Sequence, residues 1–162
     1  MPLEIERKFL IRMPKSEELA SFPHFSILQT YLLDTDGATR RVRMKKQGED
    51  IRYIYTEKRR KSDMTAEETE FEITMAEYDR LCAEADESRT PISKTRYVIP
   101  NAGHLYEVDL YDFWKKQATV EVELSAEDEP FEMPSFLEIL REVTSDARYK
   151  NHALAKVVPS ED

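Results

Sequence analysis

The chain opens with a run that could hold a cation and an anion side by side, Glu4-Ile5-Glu6-Arg7-Lys8-Phe9-Leu10. Successive strand side chains point to opposite faces, so an extended segment here aims Glu4, Glu6 and Lys8 at one surface. Carboxylates two positions apart on a strand stand about 7 Å from each other. With an ammonium beside them, they can bind a hard cation and its counter-anion together. The device recurs with both signs of charge. Arg41, Arg43 and Lys45 put three cations on one face, and Thr56 and Lys58 are in phase. Glu68, Glu70 and Glu72 follow as three carboxylates, then Lys94 with Arg96, Glu107 with Asp109, and Glu121 with Glu123.

Alternation alone is what any sheet shows when one face meets water. Same-sign triplets demand more, because they repel unless opposite charge lies across the strand. Acidic and basic segments are intermixed along the chain, so neighbours can pair. The residues between the charges (Ile5, Val42, Phe71, Val108, Val122) form a second, apolar face. A sheet that turns its charged face inward closes into a barrel with a polar lumen, and about eight strands leave room for a small ligand. An open sheet with one solvated face fits the same pattern.

The elements that must carry these residues are mostly strands, expected near 3–12, 27–34, 38–47, 50–59, 66–73, 93–99, 104–111 and 118–124. Asp34, Asp36 and Gly37, then Gly48-Glu49-Asp50, read as hairpin turns, and the short gaps favour antiparallel pairing. Thr74-x-x-Glu77 is a capping box that opens a helix to about Asp86, and Ser135-x-x-Glu138 predicts another carrying Phe136, Leu137, Ile139 and Leu140. Short helices are expected around 15–21 and 151–157. This is an α+β chain built on an antiparallel sheet, with no linker or repeat dividing residues 1–162.

The bulk numbers narrow the chemistry. A net charge of −9 argues against non-specific nucleic-acid binding, yet 24 Lys and Arg leave scope for a local basic pocket. Three scattered glycines exclude a P-loop or a dinucleotide fingerprint, so any phosphate must be gripped by side chains. His24, His104 and His152 lack zinc spacing, and Cys82 stands alone, consistent with a reducing compartment and a small buried hydrophobe. With neither a signal-like segment nor an apolar run of membrane length, cytoplasm is the expected location and no membrane partner is expected.

Taken in order, these motifs resemble the CYTH superfamily, the triphosphate tunnel metalloenzymes. Glu4-Ile5-Glu6-Arg7-Lys8 resembles that family's ExExK signature, and Gln29-x-Tyr31-Leu32, Arg41-Val42-Arg43, Thr56-x-Lys58 and Glu68-x-Glu70-x-Glu72 follow in family order. Lys94-Thr95-Arg96-Tyr97, Glu107-Val108-Asp109, Glu121-x-Glu123-Leu124 and the tail Val143-Thr144-x-Asp146-x-Arg148-Tyr149-x-Asn151 complete the match. Glu57 before Lys58 and the stretch Asp112–Gln117 depart from it locally.

The resemblance implies a closed eight-stranded antiparallel tunnel with a charged lumen and flanking helices. It also implies metal-dependent hydrolysis of a triphosphate, most simply inorganic triphosphate, with Mg²⁺ or Mn²⁺. By the match Glu4, Glu6, Glu121 and Glu123 are metal ligands, with Asp109 a ligand to a second ion. Lys8, Arg41, Arg43, Lys45, Lys58, Lys94 and Arg96 grip phosphate, supported by the acidic Glu68, Glu70 and Glu72. Water activation falls to a Lys8–Tyr31 pair or to Lys58 with a carboxylate of the Glu68–Glu72 strand. Free Lys and Tyr titrate near 10, so the first pair implies an alkaline optimum. Other outlets of the same tunnel are an adenylate cyclase, a thiamine triphosphatase and a non-catalytic triphosphate- or polyphosphate-binding module. Similar proteins often pair as homodimers.

Overall fold

The computed structural model describes residues 2–161. Eight long strands follow the expected segments: β1 (Leu3–Arg12), β2 (His24–Thr35), β3 (Ala38–Gln47), β4 (Asp50–Arg60), β5 (Thr65–Ile73), β6 (Ile92–Asn101), β7 (His104–Tyr111) and β8 (Gln117–Leu124). All their pairings are antiparallel, in the order β5-β4-β3-β2-β6-β7-β8-β1, and β1 returns to β5, so the sheet closes into a ring. Two hairpins turn on consecutive residues of positive φ, Asp36-Gly37 (50° and 76°) and Ala102-Gly103 (48° and 83°), the backbone that suits tight two-residue turns between twisted strands.

The ring closes through a divided edge on β1. Leu3, Glu4 and Ile5 pair with Glu67, Ala66 and Thr65. Farther along, Phe9, Leu10 and Ile11 pair with a ninth strand, β9 (Ile139–Glu142). This replaces the helix expected from Ser135-x-x-Glu138. Pro134 precedes the segment, Glu138 pairs with Arg12 instead of capping, and the Glu138 carbonyl accepts from the Arg12 amide at 3.0 Å. An unpaired strand edge captured a segment whose local signal was helical.

The other helices are short: α1 (Ser16–Leu19), α2 (Met75–Cys82) and α3 (Asn151–Leu154), with a 3₁₀ turn at Ala147–Tyr149. The Thr74 capping box forms, but α2 stops at Cys82 because the following residues pair back onto β2. Leu33 N donates to Glu84 O, and Asp86 N donates to Tyr31 O, both at 3.0 Å. Cys82 is half-buried beside Tyr78. No helix among the described residues is long and apolar enough to cross a membrane.

Strand register sorts every side chain to one face or the other. Glu6 lies opposite Glu123, Lys8 opposite Glu121, Arg96 opposite Asp109, Tyr31 and Thr56 opposite Arg41, and Lys58 opposite Glu68. These residues share the inner face. The apolar residues therefore face outward and must be covered. Phe9, Ile11, Val108, Val120 and Val122 pack under Leu19 and Leu137, while Leu32, Val42, Tyr55 and Ile73 pack under Tyr78 of α2.

One end of the ring is sealed. Leu10, Tyr31, Ile92 and Tyr111, at that end of the inner face, pack against Trp114, Val143, Tyr149, Leu154 and Ala155. Val143 N donates to Lys8 O at 2.8 Å, Tyr111 donates its hydroxyl to Asn151 Oδ1 at 2.5 Å, and Trp114 Nε1 donates to Pro159 O at 3.0 Å. The C-terminal segment is thus a stopper fastened at several points. Trp114→Ala is expected to lower the free energy of unfolding by about 3–5 kcal/mol in urea titration. Val157→Ala, at a site 69% exposed, is expected to stay within about 0.5 kcal/mol of the parent.

Candidate functional site

Two connected spaces run inside the ring. The inner one, a chamber of about 90 Å³ at the sealed end, is lined by Glu6, Lys8, Tyr31, Thr39, Arg41, Thr56, Lys58, Arg60 and Glu121, with Thr144, Lys150, Asn151 and His152 from the stopper. The outer one, about 270 Å³, shares Glu6, Arg41, Lys58, Glu121 and Asn151 with it and adds Glu4, Arg43, Glu68, Glu70, Arg96, Glu107 and Glu123. The strands set these walls. Arg41 and Arg43 come from β3 and Lys58 from β4; Glu4 and Glu6 come from β1, Glu121 and Glu123 from β8.

Almost every lumen cation is matched by a carboxylate. Lys58 Nζ lies 2.8 Å from Glu4 and 3.4 Å from Glu68, and Arg43 Nη2 lies 2.5 Å from Glu70, which also accepts from Thr56 at 3.0 Å. Burial would lower the Lys58 ammonium, yet Glu6, Glu4 and Glu68 hold it above its ordinary value. Burial would raise Glu4, and Lys58 pulls it below the usual carboxylate range. Glu68 is pushed up to about 7 by burial, with Glu4 adding to the rise against Lys58 and Arg41. Arg43 is pushed down to about 10 by burial and the neighbouring Arg41 charge, while Tyr31 and Glu68 keep Arg41 raised against its own burial.

Across the lumen, Glu6 and Glu121 behave as an acid pair. Burial, then the Glu121 charge, drives Glu6 well above its usual value. Glu121 falls to about 2, against burial, through Lys8 and a hydrogen bond with Glu6. Lys8 Nζ donates to Tyr149 O at 2.7 Å and lies 3.9 Å from Glu121, and Tyr31 Oη accepts from Gln29 Nε2 at 2.8 Å.

The ring therefore gathers Glu4, Glu6, Lys8, Tyr31, Arg41, Arg43, Lys58, Glu68, Glu70, Arg96, Glu121 and Glu123 around one space. Four other expected residues line neither part of it. Lys94 and Asp109 are buried on the inner face between Arg96 and the stopper, 2.8 Å apart, and Arg96 clasps the same Asp109 with two hydrogen bonds of 2.8 and 2.9 Å. Against burial, Arg96 and Lys94 hold Asp109 far below the usual carboxylate range. Lys94 itself is lowered to about 8 by burial and Arg96 despite Asp109. Lys45 is half-buried over the Phe25 ring, 4.1 Å from its centre, and Glu72 is exposed, 3.7 Å from Arg52.

Residues beyond the expected set also line the space: Thr39, Arg60, Glu107, Thr144, Lys150, Asn151 and His152. Arg60 is in phase with Lys58, and Glu107 with Asp109, so the strand period already pointed to both. Thr144, Lys150 and His152 come from the stopper, where no local periodicity marks them.

A divalent cation fits this donor set. Glu4, Glu6, Glu121 and Glu123 offer only carboxylate oxygens, which suit Mg²⁺ or Mn²⁺, and Glu121 Oε1 is buried without a hydrogen-bond partner. Among the described residues no three acidic, His or Cys side chains yet converge closely enough to ligate an ion.

No family model matches the chain. It is 33% identical over 161 residues to an inorganic triphosphatase of Nitrosomonas europaea, spanning 96% of this chain and 99% of that protein. A crystal structure of an inorganic triphosphatase is similar with a TM-score of 0.58 and 33% identity, over 97% of this chain and 100% of the other. A Hippeastrum protein described as an adenylyl cyclase with a dominant triphosphatase activity matches with a TM-score of 0.53 over 75% of this chain and 80% of its own. At 16% identity that likeness is one of fold.

The buried clasp is open to direct test. Asp109→Ala leaves the buried Lys94 ammonium without a counter-charge and Arg96 with Glu107 alone, and is expected to cost about 3–5 kcal/mol of stability, read by chemical denaturation. Glu72→Gln, removing a solvent-screened partner of Arg52, is expected to change it by less than about 1 kcal/mol.

Proposed function

This chain belongs to the triphosphate tunnel family, and we propose that it hydrolyses inorganic triphosphate with water to pyrophosphate and phosphate. The observation that carries this reading is a lumen plugged at one end in which Arg41, Arg43 and Lys58 of β3 and β4 face one space with Glu4, Glu6, Glu121 and Glu123 of β1 and β8. A linear triphosphate carries several negative charges, which guanidinium forks and ammonium groups can grip in place of water. The chamber of about 90 Å³ suits a phosphoryl group. The connected outer space of about 270 Å³ leaves room for the rest of a phosphate chain, and the 33% identity to an inorganic triphosphatase over nearly the whole chain favours inorganic triphosphate and hydrolysis.

Arg41, Arg43, Lys58 and Arg96 bind the phosphate chain. Glu4, Glu6, Glu121 and Glu123 would hold Mg²⁺ or Mn²⁺, which when bound supplies neutralisation of phosphate charge. Asp109 and Lys94 act through Arg96, fixing the plane of its guanidinium. Lys8 and Tyr31, both lining the chamber, orient the attacking water, and the member of the pair that has already lost its own proton takes up the proton of the water. Phosphoryl transfer asks for such positioning and charge stabilisation more than for covalent chemistry. A second assignment of the base, Glu68 beside Lys58, is favoured by their 3.4 Å contact and by the rise of Glu68 to about 7.

The experiment is phosphate release from inorganic triphosphate, ATP and thiamine triphosphate with Mg²⁺ or Mn²⁺, using protein without an N-terminal tag. Turnover is expected to be fastest on inorganic triphosphate, to stop on chelation, and to fall at least about 100-fold in Glu6→Ala. No release from any of the three substrates overturns the reading. The pH profile tests the second base: a plateau from near pH 7 supports Glu68, and its absence supports Lys8–Tyr31.

A further inference from the structure

Gln29 is an amide buried deep in the ring. It is fully buried on the inner face of β2, between Ile27 and Tyr31, and its register partners are Ile92 on β6 and Arg43 on β3. Its Nε2 donates to Tyr31 Oη at 2.8 Å, and its Oε1 is buried with no hydrogen-bond partner. A buried carbonyl without a donor weakens a fold, and an apolar side chain of similar shape would remove that penalty. Orphaned polar atoms of this kind concentrate where function requires them.

The surroundings of Tyr31 suggest what is required. Its ring is held on one side by His152 of the stopper, with ring centroids 4.9 Å apart, and its cross-strand partner is Arg41. Tyr31 lines the chamber together with Lys8 and Lys58. A phenolic oxygen can accept hydrogen bonds while donating its own proton elsewhere. The Gln29 amide occupies an acceptor position from the buried side, which leaves the O–H free to turn toward the chamber.

We propose that Gln29 is a positioning residue for the reaction: it acts through Tyr31, fixing the hydroxyl toward the water that attacks triphosphate. The inference rests on the assignment of Tyr31 to water activation made above. A structural role for Gln29 would instead make its amide a contributor to stability.

The test compares Gln29→Leu, Tyr31→Phe and the double variant on inorganic triphosphate, with thermal unfolding of each. Gln29→Leu is expected to lower kcat about tenfold, to leave KM within about twofold, and to keep or raise Tm. In the Tyr31→Phe background the same change is expected to alter kcat by less than about twofold, because the group it acts through is gone. Multiplicative losses in the double variant overturn the inference, as does a loss of Tm that accounts for the lost activity. Undiminished kcat in Tyr31→Phe alone overturns the assignment of Tyr31 and the inference with it. A normal kcat in Gln29→Leu beside an impaired Tyr31→Phe overturns only the inference.

Discussion

Everything in this structure depends on turning a charged sheet face inward without leaving any charge alone. Taking ions out of water is expensive, and mutual attraction offsets that only when partners are close and well oriented. The chain meets the requirement by interleaving signs around the ring. Basic β3 and β4 run beside acidic β5, and the basic residues of β6 sit beside Asp109 and Glu107 of β7. An open sheet would have solvated the same charges at little cost. Closure makes them interact, and it sends the apolar face outward, where α1, α2 and the segment before β9 must cover it.

This explains which parts of the fold were legible in the sequence. The strand period was written in residue type, since Glu4, Glu6 and Lys8 or Arg41, Arg43 and Lys45 alternate with apolar neighbours whether the sheet is open or closed. Periodicity also found the side chains of the lumen, because inward-facing positions are fixed by counting in twos. Closure itself was not legible in the charge pattern, and only the family resemblance implied it. It rests on three residue pairs between β1 and β5, and nothing local in Leu3-Glu4-Ile5 announces them. The segment at Ile139–Glu142 shows the opposite failure: its local signal favoured a helix, and an unpaired stretch of β1 prevailed.

The division between wall and backing was equally hidden. Lys94 and Arg96 alternate in the same way as Arg41 and Arg43, so the pattern treats all four alike. The structure separates them because Lys94 lies level with the aromatic stopper, where Tyr111 and Trp114 leave no open space, while Arg96 reaches the lumen. Asp109 is drawn into the same recess. Its carboxylate accepts three hydrogen bonds from Lys94 and Arg96, so it serves as the anchor of Arg96. Long-range packing, not residue type, decides this, and the tail residues Lys150 and His152 enter the chamber for the same reason.

The matched charges also bear on how such a lumen could accept substrate. Three of the side chains assigned to phosphate are already paired with a carboxylate: Lys58 with Glu4 at 2.8 Å, Arg43 with Glu70 at 2.5 Å and Arg96 with Asp109 at 2.8 Å. A triphosphate that takes Lys58 leaves Glu4 without its counter-charge, and a buried, uncompensated carboxylate is costly. Glu4 can recover a partner only from another cation, and the four carboxylates assigned to the metal lie along that wall. Substrate and divalent ion therefore each relieve the charge that the other creates. Linkage then requires that each tighten the binding of the other by the same factor. On this argument the acidic wall couples the two ligands as well as holding one of them, and the tunnel's electrostatic balance is preserved through exchange of partners.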